Sequence, residues 1–184
     1  MKIYPLEIIE KYYKKNPKLK EILIEHSEKV KNKAIEIAKK VPELNPDLKF
    51  IEEASLLHDI GIIKVNAPNI GANGEDPYIK HGILGKEILE KEGLKEHALV
   101  CERHVGIGLS KEEIIAQNLP LPHRDMLPES IEEKIITMAD KFFSKNPNKS
   151  DLTLTDIEIE VSKYGEGPLK RFKDLKKLLK LENE

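Results

Sequence analysis

Apolar residues recur at helical spacing through almost the whole of this 184-residue chain. The clearest run follows Asn16 and Pro17, a pair typical of a helix N-cap and the first helical residue. It ends at Pro42 and keeps apolar side chains three or four residues apart, at Leu19, Ile22, Leu23, Val30, Ala34, Ile37 and Val41. Such spacing predicts an amphipathic helix that buries one face. Because most other segments share this period, we expect an all-α fold.

Start and stop signals divide the remaining chain into further helices. Ser110 with Glu113, and Ser130 with Glu133, have the spacing of capping boxes, which open helices. The further helices are expected over residues 5–14, 47–59, 81–92, 94–105, from 110, 130–143, 153–164 and 167–181. No internal repeat or long linker separates them, so we expect a single domain over residues 1–184.

Residues 61–80 do not follow the helical period. Pro68, Gly71, Gly74 and Pro77 occur there among asparagines, which is the chemistry of turns. A long loop is therefore expected, and connections of this length are usually functional in compact domains. A second loop, rich in proline, is expected over residues 119–128.

The composition bounds the class of protein. A hydrophobic content of 39% in 184 residues is enough for one sizeable core. The formal net charge of −2 gives no broad electrostatic attraction to nucleic acid or to an anionic membrane. The single cysteine, Cys101, excludes an intramolecular disulfide and suits a reducing compartment. Because no signal-peptide core or membrane-spanning run occurs, we expect a cytoplasmic protein, with neither a membrane nor nucleic acid as its partner.

Side chains that commonly bind metals fall at predicted helix ends or on buried helix faces: His26, His58, Asp59, His81, His104 and Asp140. An ionised carboxylate among apolar neighbours, as at Asp140, costs several kcal/mol unless a cation or strong donors satisfy it. Taken singly, such a residue is more often a hydrogen-bonded core residue, but the set together favours a metal site. Mixed histidine and carboxylate ligation suits Mn, Fe, Co, Ni or Zn. The set exceeds what one tetrahedral ion needs, so we expect one ion or, with Asp59 as a bridge, two.

The order of these ligands resembles the HD-domain superfamily of metal-dependent phosphohydrolases, and the stretch from His58 to Gly61 is its His-Asp-Ile-Gly variant. With the histidines at 81 and 104, the pattern is similar to members that read H, HD, H, H, D. Those members include di-iron hydrolases of diadenosine tetraphosphate and cyclic-dinucleotide phosphodiesterases. The resemblance covers about residues 20–145, on which C-terminal helices over residues 151–184 would pack. Residues 119–126 and 139–145 resemble a prokaryotic subfamily with the same pattern.

The resemblance implies a helical bundle in which the first ion is held by His26, His58, Asp59 and Asp140. A second ion would be held by His81, His104 and the bridging Asp59. It also implies a phosphatase, phosphodiesterase or nucleotidase whose substrate is a nucleotide or a nucleotide-derived phosphate ester or anhydride. In such an enzyme the ions activate the attacking water, and Asp59 accepts its proton or bridges the ions.

A phosphate substrate also needs fixed positive charge and orienting groups. Residues near the proposed ligands are candidates to contact it: Lys64, Arg103, Arg124, Asn69 and Asn73. Among them we expect Lys64 and Arg124 to serve catalysis, whereas the asparagines either read a base or ribose or cap turns. Lys141 and Lys145 are interpreted as solvated surface charges, because the chain is rich in lysine.

Other polar residues receive structural interpretations. His97 is expected at the surface, His123 in a loop, and Cys101 as a small buried hydrophobic residue. Glu102 is either a proton acceptor near the site or an exposed helix residue. The basic face of the last helix is interpreted as solvated, because no aromatic residues interleave its charges.

Two other functions remain open. A non-catalytic sensor would keep the ion site and bind metal or nucleotide without turnover. An RNA-end phosphodiesterase would bind RNA with a steep dependence on salt concentration.

Overall fold

The computed structural model describes residues 3–146 and 149–181. Its helices are α1 Pro5–Tyr13, α2 Pro17–Lys40, α3 Leu48–Leu57, α4 His81–Lys91, α5 Lys95–Arg103, α6 Lys111–Ala116, α7 Ile131–Asp140, α8 Leu154–Ser162 and α9 Glu166–Leu178. Short 3₁₀ turns lie at Pro42–Leu44, Ile60–Lys64, Pro68–Ile70 and Tyr78–Lys80. The all-α prediction is confirmed. Parts of the predicted domain, at residues 1–2, 147–148 and 182–184, lie outside the described residues.

The capping signals act largely as the sequence predicts. Asn16 accepts a 3.2 Å hydrogen bond from the N–H of Leu19 at the start of α2. Ser110 and Glu113 form a reciprocal capping box at α6, with bonds of 3.2 and 2.9 Å. At α7 the box is half formed: Ser130 accepts from the N–H of Glu133, but the Glu133 carboxylate accepts from the N–H of residue 129 instead.

The long predicted loop is folded back on itself. Strands β1 Asn66–Ala67 and β2 Ala72–Asn73 pair antiparallel, with Asn66 opposite Asn73. Backbone hydrogen bonds extend the pairing, since the N–H of Asn66 donates to Asp76 and that of Gly74 donates to Val65, at 2.8 and 2.9 Å. The segment between α3 and α4 is therefore an ordered hairpin flanked by 3₁₀ turns.

Helix α2 runs through two hydrophobic clusters. Its first half shares one cluster with α1, the turn after α3, and α4, and that cluster includes Tyr13, Leu19, Leu23, Ile60, Leu84 and Ile88. Its second half shares the other cluster with α7, α8 and α9, and that cluster includes Val30, Ala34, Ile37, Ile135, Met138, Ile157 and Phe172. Each buried Val, Leu, Ile, Met or Phe side chain among them stabilises the fold by roughly 1.5–3 kcal/mol. The buried His26 lies on α2 between the two clusters. Among the described residues, no helix has both the length and the apolar character needed to span a membrane.

Candidate metal centre

The centre is assembled almost entirely from helix ends. His26 alone comes from the middle of a helix, α2. The other side chains come from the ends of α3, α5 and α7 and from the start of α4: His58, Asp59, His104, Asp140 and His81. Neighbours on a continuous helix point about 100° apart. Because Asp59 leaves the helical conformation at φ −106° and ψ 10°, it faces the same point as His58.

The first ligand group consists of His26, His58, Asp59 and Asp140, with ligand atoms within 4.8 Å of one another. His26 Nε2 lies 3.0 Å from Asp140 Oδ1 and 3.2 Å from Asp59 Oδ2. His58 Nε2 lies 3.0 Å from Asp59 Oδ2 and 3.3 Å from Asp140 Oδ1. Two imidazole nitrogens and two carboxylate oxygens therefore surround one point.

The second group consists of Asp59, His81 and His104. The Nε2 atoms of His81 and His104 lie 3.2 Å apart, and each lies 3.4 Å from Asp59 Oδ1. Asp59 thus turns Oδ2 to the first group and Oδ1 to the second. The side chain of Asp59 is fully buried. Among the described residues, Asp59 is the carboxylate that belongs to both groups.

The donor set fits divalent metal ions. The Nδ1–H groups of three histidines donate to backbone carbonyls at 2.7–2.8 Å, in the pairs His58 with Ser55, His81 with Tyr78 and His104 with Cys101. In the neutral ring each Nε2 then offers a lone pair to the interior. Asp59 is fully buried, and its oxygens face these nitrogens and the Lys145 ammonium, which lies 2.7 Å from Oδ2. Imidazole nitrogens and carboxylate oxygens that converge in this way are ligands that divalent first-row metal ions prefer.

The family model of the HD domain matches residues 23–144. The chain belongs to the HD-domain family. The resemblance drawn from the order of the ligands is therefore confirmed.

Curated relatives include two tRNA (cytidine(56)-2'-O)-methyltransferases, from Thermoplasma volcanium and Picrophilus torridus. They are 36% and 38% identical over 123 and 125 residues, which is 66% and 67% of this chain. The HD-domain chain spans only 32% of each of these relatives. An uncharacterized protein from Methanocaldococcus jannaschii is 31% identical over 167 residues, covering 89% of this chain and 88% of that protein.

Among solved structures, the HD domain of the L. monocytogenes phosphodiesterase PgpH shares the fold. Its complex with cyclic-di-AMP has a TM-score of 0.54 and 17% identity, covering 97% of this chain and 98% of that one. A second PgpH HD-domain structure has a TM-score of 0.55 and 18% identity, covering 96% and 97%. These similarities establish a common helical architecture over nearly the full chain.

The two ligand groups of the HD domain differ in protonation. Burial alone would lower the pKa of His58, but the two nearby carboxylates outweigh it and raise that pKa to about 9. Burial would raise the pKa of Asp59, yet His58 and Lys145 hold it well below its usual range. Burial lowers the pKa of His81 to about 3 and also lowers the pKa of His104. The histidines of the second group are therefore neutral at pH 7, which is the form of imidazole that binds metal, whereas an ion on His58 would displace its proton.

Two lysines reach the centre, which corrects their prediction as solvated surface charges. Lys145 Nζ lies 2.7 Å from Asp59 Oδ2 and 3.6 Å from Asp140 Oδ1, and the lysine side chain is 12% exposed. Lys141 Nζ lies 2.9 Å from Asp140 Oδ2, with its side chain 20% exposed. Sequence reasoning missed them because the chain beyond α7 has no period that marks inward side chains. The available signal was the neighbouring Phe142, an apolar residue that is buried and draws this segment inward.

The structure does not bring the predicted cations Lys64, Arg103 and Arg124 to the centre. Lys64 Nζ pairs with Glu87 at 3.2 Å, and Arg124 pairs with the buried carboxylate of Glu102. The Arg103 guanidinium pairs with acidic side chains at the start of α7, at 3.1 Å. Adjacency to a ligand in sequence does not set the direction of a side chain, and each charge is neutralised elsewhere. The catalytic roles expected for Lys64 and Arg124 stay predictions, without a contact between either side chain and the ligand groups.

A cavity of about 1040 Å³ adjoins the centre. This volume is at the upper end of the range of about 300–1,000 Å³ that is typical of small-molecule sites. His81 and Lys145 line it near the ligands, and Tyr164 lines it beyond them. The predicted contact Asn69 also lines the cavity, whereas Asn73 is not part of its wall and its amide lies 3.5 Å from a hairpin carbonyl.

The residues outside the centre differ in how far they match the sequence-based expectations. His97 and Glu102, for which exposed positions were expected or considered, are only 5% and 3% exposed. His97 Nε2 lies 3.4 Å from the carboxylate of Glu53, and Glu102 is paired with its arginine, so both are buried with charged partners. Cys101 is buried and His123 is exposed in a loop, as the sequence predicts.

Proposed function

We propose that this HD-domain protein is a metal-dependent phosphohydrolase that acts on a nucleotide or a nucleotide-derived phosphate ester or anhydride. The observation that carries the proposal is the position of Asp59, whose two oxygens face two different groups of buried histidines. A carboxylate shared in this way suits two divalent ions held side by side. Paired ions recur in enzymes that cleave bonds to phosphorus.

The residues that would hold the ions are those of the two ligand groups: His26, His58, Asp59 and Asp140, and Asp59, His81 and His104. Histidine and carboxylate donors suit Mn, Fe, Co, Ni or Zn. When bound, such ions lower the pKa of a water toward neutrality and offset charge on the phosphate oxygens.

The chain itself contributes the ligands and the space for the substrate. Asp59 stays ionised, because its pKa lies well below the usual range, so both of its oxygens remain available as ligands. In the reaction the water oxygen bonds to phosphorus while the bond from phosphorus to the leaving oxygen breaks. The water would give its proton to solvent in the cavity, and the leaving oxygen would take a proton from the same solvent. The cavity of about 1040 Å³ has room for the rest of the substrate.

The direct test uses the full chain, stripped of metal and reloaded with Mn²⁺ or Fe²⁺. Phosphomonoester, phosphodiester and dinucleotide substrates are supplied, and release of phosphate or nucleotide is measured. Metal-dependent turnover that disappears in Asp59→Ala, with the helical circular dichroism spectrum retained, supports the proposal. Bound metal without turnover of any substrate class would indicate a non-catalytic metal or nucleotide sensor.

A second candidate is an RNA-end phosphodiesterase. It is favoured by the names of the two relatives from Thermoplasma volcanium and Picrophilus torridus, which are tRNA methyltransferases and match the HD-domain chain over a third of their length. Short oligoribonucleotides with defined ends should then be hydrolysed in preference to mononucleotides, and their binding should weaken steeply as salt concentration rises. Equal rates for RNA ends and free nucleotides would remove this candidate and leave the first.

A further inference from the structure

Lys145 places a buried positive charge on the carboxylates of the first ligand group. Its Nζ lies 2.7 Å from Asp59 Oδ2 and 3.6 Å from Asp140 Oδ1. The same two oxygens face the Nε2 atoms of His26 and His58. The lysine side chain also lines the cavity that adjoins the centre. It therefore stands between the place that fits a cation and the space available to a substrate.

An ammonium in this position competes with a divalent ion. Burial of a charge is costly unless the charge is paired, and the pairing here is to Asp59 and Asp140. The ammonium of Lys145 thus neutralises the same carboxylate charge that a bound ion would neutralise. An ion on the same oxygens repels the ammonium at short range and deprives it of its partners.

We propose that Lys145 exchanges partners between the metal-free and the metal-loaded protein. Its ammonium rests on Asp59 and Asp140 when no ion is bound, and it turns to an oxygen of the substrate phosphate once ions occupy the centre. That Lys145 turns to a substrate phosphate rests on the proposed function, whereas the competition between Lys145 and a metal ion does not. Lys145 then supplies the fixed positive charge that Lys64 and Arg124 do not bring to the centre.

Partner exchange has a signature that a structural lysine lacks. Loss of the ammonium removes a competitor for the carboxylates, so metal binding strengthens. The same loss removes a charge-assisted hydrogen bond to phosphate, so anion binding weakens. A lysine that only holds the site together would instead weaken metal binding when it is replaced, because the carboxylates would repel each other and the site would open.

The experiment compares the full-length wild type with Lys145→Met and Lys145→Arg. Metal-free protein is titrated with Mn²⁺ alone by calorimetry, and Mn²⁺-saturated protein is then titrated with inorganic phosphate. Lys145→Met should raise the affinity for Mn²⁺ and lower the affinity for phosphate by about tenfold, the effect of one charge-assisted hydrogen bond. Lys145→Arg should retain phosphate binding. Lys173→Met, at an exposed lysine of α9 outside the cavity wall, is the matched control and should change neither affinity.

A lower Mn²⁺ affinity in Lys145→Met, or an unchanged phosphate affinity, overturns the exchange. Thermal unfolding checks that the variant is folded, and Lys145→Gln replaces it if the methionine variant is not. The outcomes are separate from those for the proposed function. If the wild type binds Mn²⁺ and phosphate as described but hydrolyses nothing, the function fails and the exchange stands. If turnover persists in Lys145→Met with unchanged phosphate binding, the exchange fails and the function stands.

Discussion

The hydroxyl of Tyr13 donates a 2.9 Å hydrogen bond to the carbonyl of Ile60. It also accepts a 3.0 Å bond from the N–H of Ile63. Tyr13 is a fully buried residue of α1, and Ile60 directly follows Asp59 in the chain. One side chain of α1 therefore holds the 3₁₀ turn that sets the direction of Asp59. A helix that contributes no ligand thus helps to position the centre.

Tyr13→Phe should destabilise the protein and weaken metal binding. The ring still fills its site, but a carbonyl and an N–H of the turn lose their buried partner, which costs about 1–3 kcal/mol in unfolding free energy. Metal affinity should fall by roughly tenfold or more, as is typical when an outer support of a ligand is lost. Urea unfolding and calorimetric titration with Mn²⁺ measure the two effects. Tyr12→Phe, which removes a hydroxyl bonded to the half-buried Glu92 away from the centre, is the control. Equal effects of the two substitutions would refute this role for Tyr13.

Gly61 is explained by packing and not by its backbone conformation. Its φ is not positive, so the conformation itself does not require glycine. A Cβ at this position would lie 2.0 Å from the carbonyl oxygen of His81 and 2.4 Å from the backbone nitrogen of Gly85. The absence of a side chain therefore lets α4 pack directly on the turn after Asp59. This contact sets the distance between His81 and Asp59.

Gly61→Ala should selectively disturb the second ligand group. The start of α4 must move away, which costs roughly 1–3 kcal/mol in unfolding free energy. His81 moves with it, so the metal content of the purified protein should fall toward one ion per chain. Gly85→Ala is a graded comparison, because its Cβ would meet the Cys101 side chain at 3.2 Å and needs a smaller shift. Metal analysis and unfolding curves report both effects, and a fully loaded, equally stable Gly61→Ala protein would contradict the packing argument.

The ligands could be predicted because they lie on periodic segments or at their ends. His26 keeps the spacing of Leu23 and Val30 on α2, so its inward direction follows from the helical period. His58 and Asp140 end segments whose apolar faces are equally clear. The helical period thus defines both the fold class and the ligand directions in this chain.

The lysine and arginine contacts could not be predicted in the same way. Lys145 lies beyond α7, where no repeating pattern assigns a direction to a side chain. The partners of Lys64 and Arg124 are Glu87 and Glu102, which are more than twenty residues away in sequence. A long flexible side chain takes its partner from the tertiary structure. For this reason the side chains predicted as metal ligands lie together in the structure, whereas Lys64 and Arg124 pair with acidic residues elsewhere.

His97 is a buried histidine outside the metal centre. Its ring packs against Phe50, with centroids 4.7 Å apart, and its Nε2 lies 3.4 Å from Glu53 Oε2. Burial lowers its pKa, although Glu53 opposes the shift. In the unfolded chain the ring titrates near 6.5. The neutral ring therefore favours the folded state above that pH, and this contribution is lost as the pH falls through the lowered folded pKa.

The stability difference between wild type and His97→Gln should consequently shrink as the pH is lowered from about 7.5 to about 5.5, a range that spans the unfolded-state pKa. Metal-free protein is used for both, so that acid release of bound ions does not enter the comparison. The unfolding free energy is measured in urea at each pH. His123→Gln, at an exposed loop histidine, should give no pH-dependent difference. A difference for His97→Gln that grows as the pH falls would show that the folded protein prefers the protonated ring.

Asp59 and His104 should differ in how many ions their loss releases. Asp59 belongs to both ligand groups, whereas His104 belongs only to the second. Asp59→Asn removes the charge that both groups share, so the metal content should fall toward zero. The rate of hydrolysis should fall by more than about 100-fold, because losing a residue that only supports a ligand already costs up to about 100-fold. His104→Ala should retain the ion held by the first group, because its own Nε2 faces only Asp59 Oδ1 and His81. Metal analysis after gel filtration, with His123→Ala as an exposed control, distinguishes these cases. Equal metal loss in Asp59→Asn and His104→Ala would mean that the two groups bind as one unit, and the bridging role of Asp59 would have to be abandoned.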